Sequence, residues 1–311
     1  MPTIVAYLDA LGYSNYTRDD LAGAVQLLSD QQWLLNQKIS DGLHHPAQAH
    51  TDPTLAAFAA ARQVDSFKLF LPFSDSTFIA SERPDDFLPQ LAHFLIGCFE
   101  YTGNAFRNGT EGARPEEVPV KVIGVSTVTT EVEHWYPSMW RGGLGEGTVH
   151  VSEATALRDG KAMQVPNLSG TAVVNAARAE GGGRGPRLFC APDFSRHFGQ
   201  PLHRYFRRVD ANYSEFLWPA FSYGDGKPSG EINQFSELWT PTVGLWRSKK
   251  NTPAFEHYDE FLKLLIRSCL CWARNAGYET DAIQFIRRRV EDDLGSCLVE
   301  GYLVNLDPQA S

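Results

Sequence analysis

Two aspartates stand where chemistry could be built. Asp9 closes a short apolar run, TIVAYL at residues 3–8, and precedes a tight turn that Gly12 permits. Asp75 lies in Pro72-Phe73-Ser74-Asp75-Ser76, between strand-like segments at 64–71 and 77–80. Proline cannot donate to a sheet ladder, and Ser and Asp favour turns, so this reads as a hairpin with Asp75 near its tip. Each aspartate alone is consistent with ordinary turn chemistry. With strand 1 beside the hairpin, both carboxylates could reach one point at a sheet edge. Two carboxylates within ~4 Å need a cation between them, because like charges raise each other's pKa. Oxygen ligands of this kind suit Mg²⁺ or Mn²⁺ beside substrate phosphates, and two such ions can activate an attacking hydroxyl and stabilise leaving pyrophosphate. The turn Ala10-Leu11-Gly12-Tyr13 would present backbone N–H groups to those phosphates.

The elements that must position these residues follow from the pattern. Residues 3–8 read as a buried strand. Thr17 with Asp20 resembles a helix N-cap pair, opening a helix to about residue 39 with Leu21, Ala24, Val25, Leu28 and Leu35 as its apolar stripe. The segment 42–56, with His44, His45 and His50, reads as a solvated loop. Pro84, Asp85 and Asp86 start a helix running to about 101. Residues 104–118 are polar and irregular; strands are expected at 119–128 and 139–151, a helix at 170–180 and a strand at 187–190. The order βα ββ α β β α β predicts an α/β fold, an α+β sandwich with helices flanking a mixed sheet. Residues 199–250 are aromatic-rich and turn-rich, and helices are expected at 254–275 and 279–294. We therefore divide the chain into a core at 1–198 and a C-terminal aromatic-rich, helical extension at 199–311.

Composition narrows the function. Of 311 residues, 43% are hydrophobic and 21% charged, enough apolar material for a packed core. The formal net charge of −9 repels nucleic-acid backbones, so a general nucleic-acid binder is not expected, nor is a template-using polymerase. No apolar run reaches the ~18 residues of a membrane-spanning helix. The N-terminus lacks a basic region and carries Asp9 in its apolar stretch, so it does not read as a signal peptide, and the expectation is a soluble cytoplasmic protein. Five cysteines, odd in number and sparse, argue for free thiols. EGGGRGPR lacks the Lys-Ser/Thr of a phosphate loop. Arg287, Arg288 and Arg289, followed by Glu291, Asp292 and Asp293, read as a salt-bridged helix face.

YLDALGYS resembles the first metal-binding motif of class III nucleotidyl cyclases. PFSDST resembles the second, in the Ser-Asp-Ser form of the divergent pyrimidine nucleotide cyclases of the bacterial Pycsar anti-phage systems. WRGGLGEGTV resembles their Arg-Gly-rich strand, and GTAVVNAARAE followed by PRLF resembles their late helix and the strand after it. The four motifs occur in order over residues 3–190; residues 200–311 carry none.

The resemblance implies a homodimer with sites at the subunit interface and metal-dependent cyclisation of UTP to 3′,5′-cyclic UMP plus pyrophosphate, a second messenger for anti-phage defence. Asp9 and Asp75 would hold two Mn²⁺ or Mg²⁺ ions, with the carbonyl of Ala10 as a further ligand. Leu11, Gly12 and Tyr13 would lie near the triphosphate, Arg141 would contact nucleotide, and Phe67 would stack on the base or belong to the core. Arg178 or Arg187 would stabilise the pentavalent phosphate. Two departures from adenylyl cyclases matter. Leu71 stands where they carry a base-reading Lys, with Lys68 on the opposite strand face. Asn175 and Arg178 are three apart rather than four. ATP is thereby disfavoured, UTP and CTP both remain open, and so does a degenerate cyclase fold that binds nucleotide without turnover.

Overall fold

A computed structural model describes residues 3–44, 56, 60–103, 117–120, 128–131, 137–223 and 233–303. The first strand, β1 (Thr3–Ala10), lies inside a seven-stranded mixed sheet. Beside it are β3 (Ser76–Ser81) and β6 (Trp140–Gly147), both antiparallel to it. The hairpin partner β2 (Leu69–Phe73) forms one edge. On the other side, β9 (Leu188–Cys190) pairs parallel with β6, followed by β11 (Ser214–Phe216) and β10 (Phe206–Arg208). The mixed sheet flanked by helices is the α+β sandwich expected. The last two strands lie in the segment expected to be turn-rich; each is only three residues long, and they complete the same sheet. Among the described residues, no helix is long and apolar enough to cross a membrane.

Alternation along β1 sorts its side chains between two layers. Ile4, Ala6, Leu8 and Ala10 enter the main core. There they meet helix α3 (Pro84–Gly103) and, from the C-terminal part, α7 (Phe255–Ala276), whose rings Phe99 and Phe261 touch edge-on at 5.0 Å. Val5 points the other way, into a thin layer with Ala80, Ala172 and Ala176. The last two belong to α4 (Thr171–Ala179), which packs on that face. Small residues explain this closeness. A Cβ on Gly143 would sit 2.0 Å from the Ala176 carbonyl oxygen, and one on Gly145 would sit 2.3 Å from that of Ala172. The Gly-rich strand is therefore a seat for a helix.

Several boundaries differ from the sequence expectation. The helix expected from Thr17 is two: α1 (Tyr13–Asp19) and α2 (Leu21–His44). Asp20 is the cap, its carboxylate accepting the Gly23 N–H at 2.9 Å, whereas the Thr17 hydroxyl bonds back to the Tyr13 carbonyl inside α1. On α2 the buried stripe includes Ala24, Leu27, Leu34 and Leu35; Leu21 is exposed. The strand expected over 64–71 begins only at Leu69. The single strand expected at 119–128 is a pair outside the main sheet, β4 (Glu117–Val120) and β5 (Val128–Glu131). Residues 45–55, with His45 and His50, and most of the irregular stretch 104–118 lie outside the described residues.

The strand expected over 139–151 is β6 followed by an unforeseen hairpin, β7 (His150–Arg158) and β8 (Lys161–Ser169). Its two-residue turn is Asp159-Gly160, at φ +53° and +74°, the pairing that a type I′ turn favours. That Asp-Gly was the available signal. After the four-residue α5 (Gln200–His203), the C-terminal helices α6 (Asn233–Ser248), α7 and α8 (Glu279–Leu294) complete the packing, the latter two close to their expected bounds. On α8, Arg289 pairs with Asp293 and Arg287 with Glu300. All five cysteines are free thiols.

Candidate active site

Register decides which side chains meet. Asp9 stands opposite Ser76 on β3 and opposite Arg141 on β6, while Ser76 stands opposite Phe73 on β2. Cross-strand partners share a face. Phe73, Ser76, Asp9 and Arg141 therefore form one row across four strands, on the face that α4 covers only in part. The contacts follow the row. The Ser76 hydroxyl donates to Asp9 Oδ1 at 3.2 Å, and Arg141 Nε donates to Asp9 Oδ2 at 2.9 Å. Arg141 Nε also lies 2.7 Å from Glu180, just beyond the end of α4. Tyr7, one pleat further in, places its hydroxyl 3.0 Å from Ser76 Oγ.

Asp75 occupies the two-residue turn between β2 and β3. Its carbonyl accepts the Ala10 N–H at 2.9 Å, so the backbone of the turn is stitched to the residue after Asp9. Ser74 beside it has φ +57°, a left-handed conformation that costs a serine of order 1 kcal/mol and bends the tip sharply. The half-buried Asp75 carboxylate has no hydrogen-bond or ion-pair partner among the described residues. At the rim one guanidinium, Arg141, is thus shared by two carboxylates, Asp9 and Glu180, with Asp75 on the adjoining turn.

This donor set suits a hard divalent cation. Asp75 is unengaged, Asp9 Oδ1 holds only a hydroxyl, and all the candidate ligands are oxygens. Among the described residues, no three or more His, Cys, Asp or Glu side chains surround a common point. The site would consist of the two aspartates with the Ala10 backbone.

The other expected residues divide. The Leu11 side chain is buried and its N–H is spent on the Met139 carbonyl at 2.9 Å; with Ala10 N–H on Asp75, the turn keeps the amides of Gly12 and Tyr13 rather than all four. Gly12, at φ +83°, makes the bend into α1, and Tyr13 packs against the main core. Phe67 precedes β2 and sits edge-on to Phe87 and Phe94 of α3, at 5.6 and 6.1 Å, so its ring belongs to the core and not to the row. Arg178 makes no contact with Asp9 or Asp75 among the described residues. With Asn175, which donates to the Glu146 carbonyl, it lines a separate cavity of about 220 Å³. Arg187 pairs with buried Glu215 and with Glu260, and lies over the Phe189 ring.

Four residues at the rim escaped sequence reasoning. Ser76 and Phe73 were legible only through register; Phe73 is 75% exposed, unusual for so large an apolar ring. Glu180 reaches the row because α4 ends there. His257, on α7, accepts the Gly185 N–H on Nδ1 at 3.2 Å. Burial first, then the charges of Arg141 and Arg184, hold its imidazole below the ordinary histidine range. Compared with known proteins, the chain matches no family model and no curated sequence.

Proposed function

We propose that the protein is a metal-dependent pyrimidine nucleotide cyclase that converts UTP to 3′,5′-cyclic UMP and pyrophosphate. The observation that carries this reading is the unengaged Asp75 carboxylate on a turn stitched to the neighbour of Asp9. Asp9, Asp75 and the Ala10 carbonyl would hold two Mn²⁺ or Mg²⁺ ions. Divalent ions there would supply a lowered pKa for the ribose 3′-hydroxyl and charge neutralisation for the triphosphate. The 3′-oxygen then forms its bond to the α-phosphorus as the bond to pyrophosphate breaks, and the hydroxyl proton passes to solvent or a nearby carboxylate. Arg141 would exchange its carboxylate partners for phosphate oxygens, since a guanidinium serves both. Phe73, exposed in the same row, offers a face on which a base could stack. A cytidylate cyclase making cyclic CMP is the neighbouring alternative, because no residue in the row distinguishes O4 from N4.

The reading extends to a homodimer in the cytoplasm, with the product acting as an anti-phage second messenger. The β7–β8 hairpin supports a second subunit. It stands outside the main sheet and exposes Val151, Leu157 and Met163, although a lone two-stranded hairpin is at best marginally stable in water. One observation favours a degenerate cyclase fold that only binds nucleotide: Arg141 already occupies Asp9 Oδ2.

Incubating the purified protein with each labelled nucleoside triphosphate and Mn²⁺ separates these readings. Cyclic UMP with pyrophosphate is the expected product. Cyclic CMP alone would select the alternative, product from ATP alone would overturn the pyrimidine assignment, and nucleotide binding without turnover would identify a binding protein.

A further inference from the structure

On the β10 edge of the sheet, five arginines line one cavity of about 280 Å³: Arg204, Arg207, Arg208, Arg267 and Arg274. Four strand spacings separate β10 from β1, roughly 19 Å, so this is not the Asp9 site. The chain carries a net charge of −9, which makes such a concentration of positive charge at one point informative.

The carboxylates nearby do not balance it. Glu215, fully buried on β11, serves three guanidiniums at once: Arg187 at 2.5 Å, Arg207 at 3.0 Å and Arg267 at 3.4 Å. Glu260 is shared among Arg187, Arg267 and Lys263. Arg274 has Glu279. Arg208 bonds only backbone carbonyls, those of Asp210 and Ala211, and Arg204 lies over the Tyr205 ring; neither has a carboxylate partner among the described residues. Cys271 adds no negative charge, because burial pushes its thiol up to about 11.

A second observation points to a ligand. The Arg267 side chain is only 9% exposed, and its Nε has no hydrogen-bond partner among the described residues. A buried guanidinium N–H left unmet is costly, and an anion in the cavity would offset the positive charge that Arg267 brings to its wall. Burial, reinforced by Arg187 and Arg207, already pulls the Arg267 pKa below its ordinary value despite Glu215. The remaining wall is apolar, with Phe206, Leu217 and Leu270. The volume is near the lower end for small-molecule sites.

We propose that this cavity binds a small phosphorylated organic anion, the guanidiniums taking the phosphate and the apolar wall taking its body. Arginine forks match phosphate oxygens in pairs, which suits phosphate over a carboxylate of the same size. The proposal is independent of the cyclase reading.

Isothermal titration in EDTA, with phenyl phosphate, inorganic phosphate and benzoate as probes, tests it. Phenyl phosphate is expected to bind most tightly and inorganic phosphate more weakly, for want of the apolar contact. The exposed double variant Arg204→Ala/Arg208→Ala is expected to weaken phenyl phosphate roughly tenfold or more, while Asp75→Ala leaves it unchanged. Should the double variant misfold, Arg274→Ala, a half-exposed lining residue, provides the same comparison. Absence of phosphate binding, preference for benzoate, binding that survives the arginine substitutions, or loss with Asp75→Ala would each overturn it.

Discussion

Asp75 offers the sharpest test because its side chain holds nothing else in place. Asp75→Ala is expected to lower cyclase turnover at least about a hundredfold, while leaving unfolding free energy within about 0.5 kcal/mol. Radiolabelled turnover beside a urea melt reads both. Loss of fold rather than turnover would assign Asp75 to the turn alone. Arg141 behaves oppositely. It holds Asp9 and Glu180 in one charge cluster, so Arg141→Ala removes the shared cation from two carboxylates. With 38% of its side chain in water, the expected cost is about 1 kcal/mol or less. Part of it should return in the Arg141→Ala/Glu180→Gln double variant, measured by a double-mutant cycle. Strict additivity would mean that the two side chains are uncoupled.

The element that limits the candidate site is α4 on β6. Its seat requires Gly143, where a Cβ would strike the Ala176 carbonyl at 2.0 Å. Gly143→Ala is expected to cost about 1–3 kcal/mol or more by lifting the helix, seen as a lowered urea midpoint. Gly160→Ala separates space from conformation. Nothing lies within 4 Å of a Cβ there, yet φ is +74°, so only the left-handed penalty of about 1–2 kcal/mol applies. The β7–β8 hairpin belongs to the same scale. Leu157, 77% exposed, is expected to lie in the subunit contact, so Leu157→Asp should shift sedimenting dimer toward monomer. An unchanged dimer would place the contact elsewhere.

At the scale of the whole molecule, the Glu215 cluster links the sheet edge to α7. Burial alone would raise the Glu215 pKa, but Arg267, Arg187 and Arg207 together hold it down to about 2, against about 4.5 for an ordinary glutamate. A carboxylate depressed in the folded state stabilises above its unfolded pKa. Its contribution, roughly 3 kcal/mol, is present at neutral pH and is lost as pH falls from about 4.5 to about 2. Glu215→Gln is therefore expected to be strongly destabilised at pH 7 and to show a flatter acid limb in pH-dependent melting. A variant as stable as the parent would mean that the three arginines find other anions.

From the sequence alone came the local facts: β1 ending in Asp9, a hairpin around Asp75, α4 near 170–180, two long C-terminal helices, and the mixed α/β class. These rest on periodicity and turn chemistry, which act over a few residues. Tertiary structure decided what lies opposite what. Register set Ser76 and Arg141 on either side of Asp9 and exposed Phe73 in their row, because a shift of one residue turns every side chain to the other face. Packing put Phe67 in the core and committed Arg187 to Glu215. Pairing between distant segments also placed β10 and β11 in the main sheet, although strands of three residues carry too little pattern to read. The arginine cavity has the same origin: its residues come from 204–208, 267 and 274, and only the fold brings those charges together.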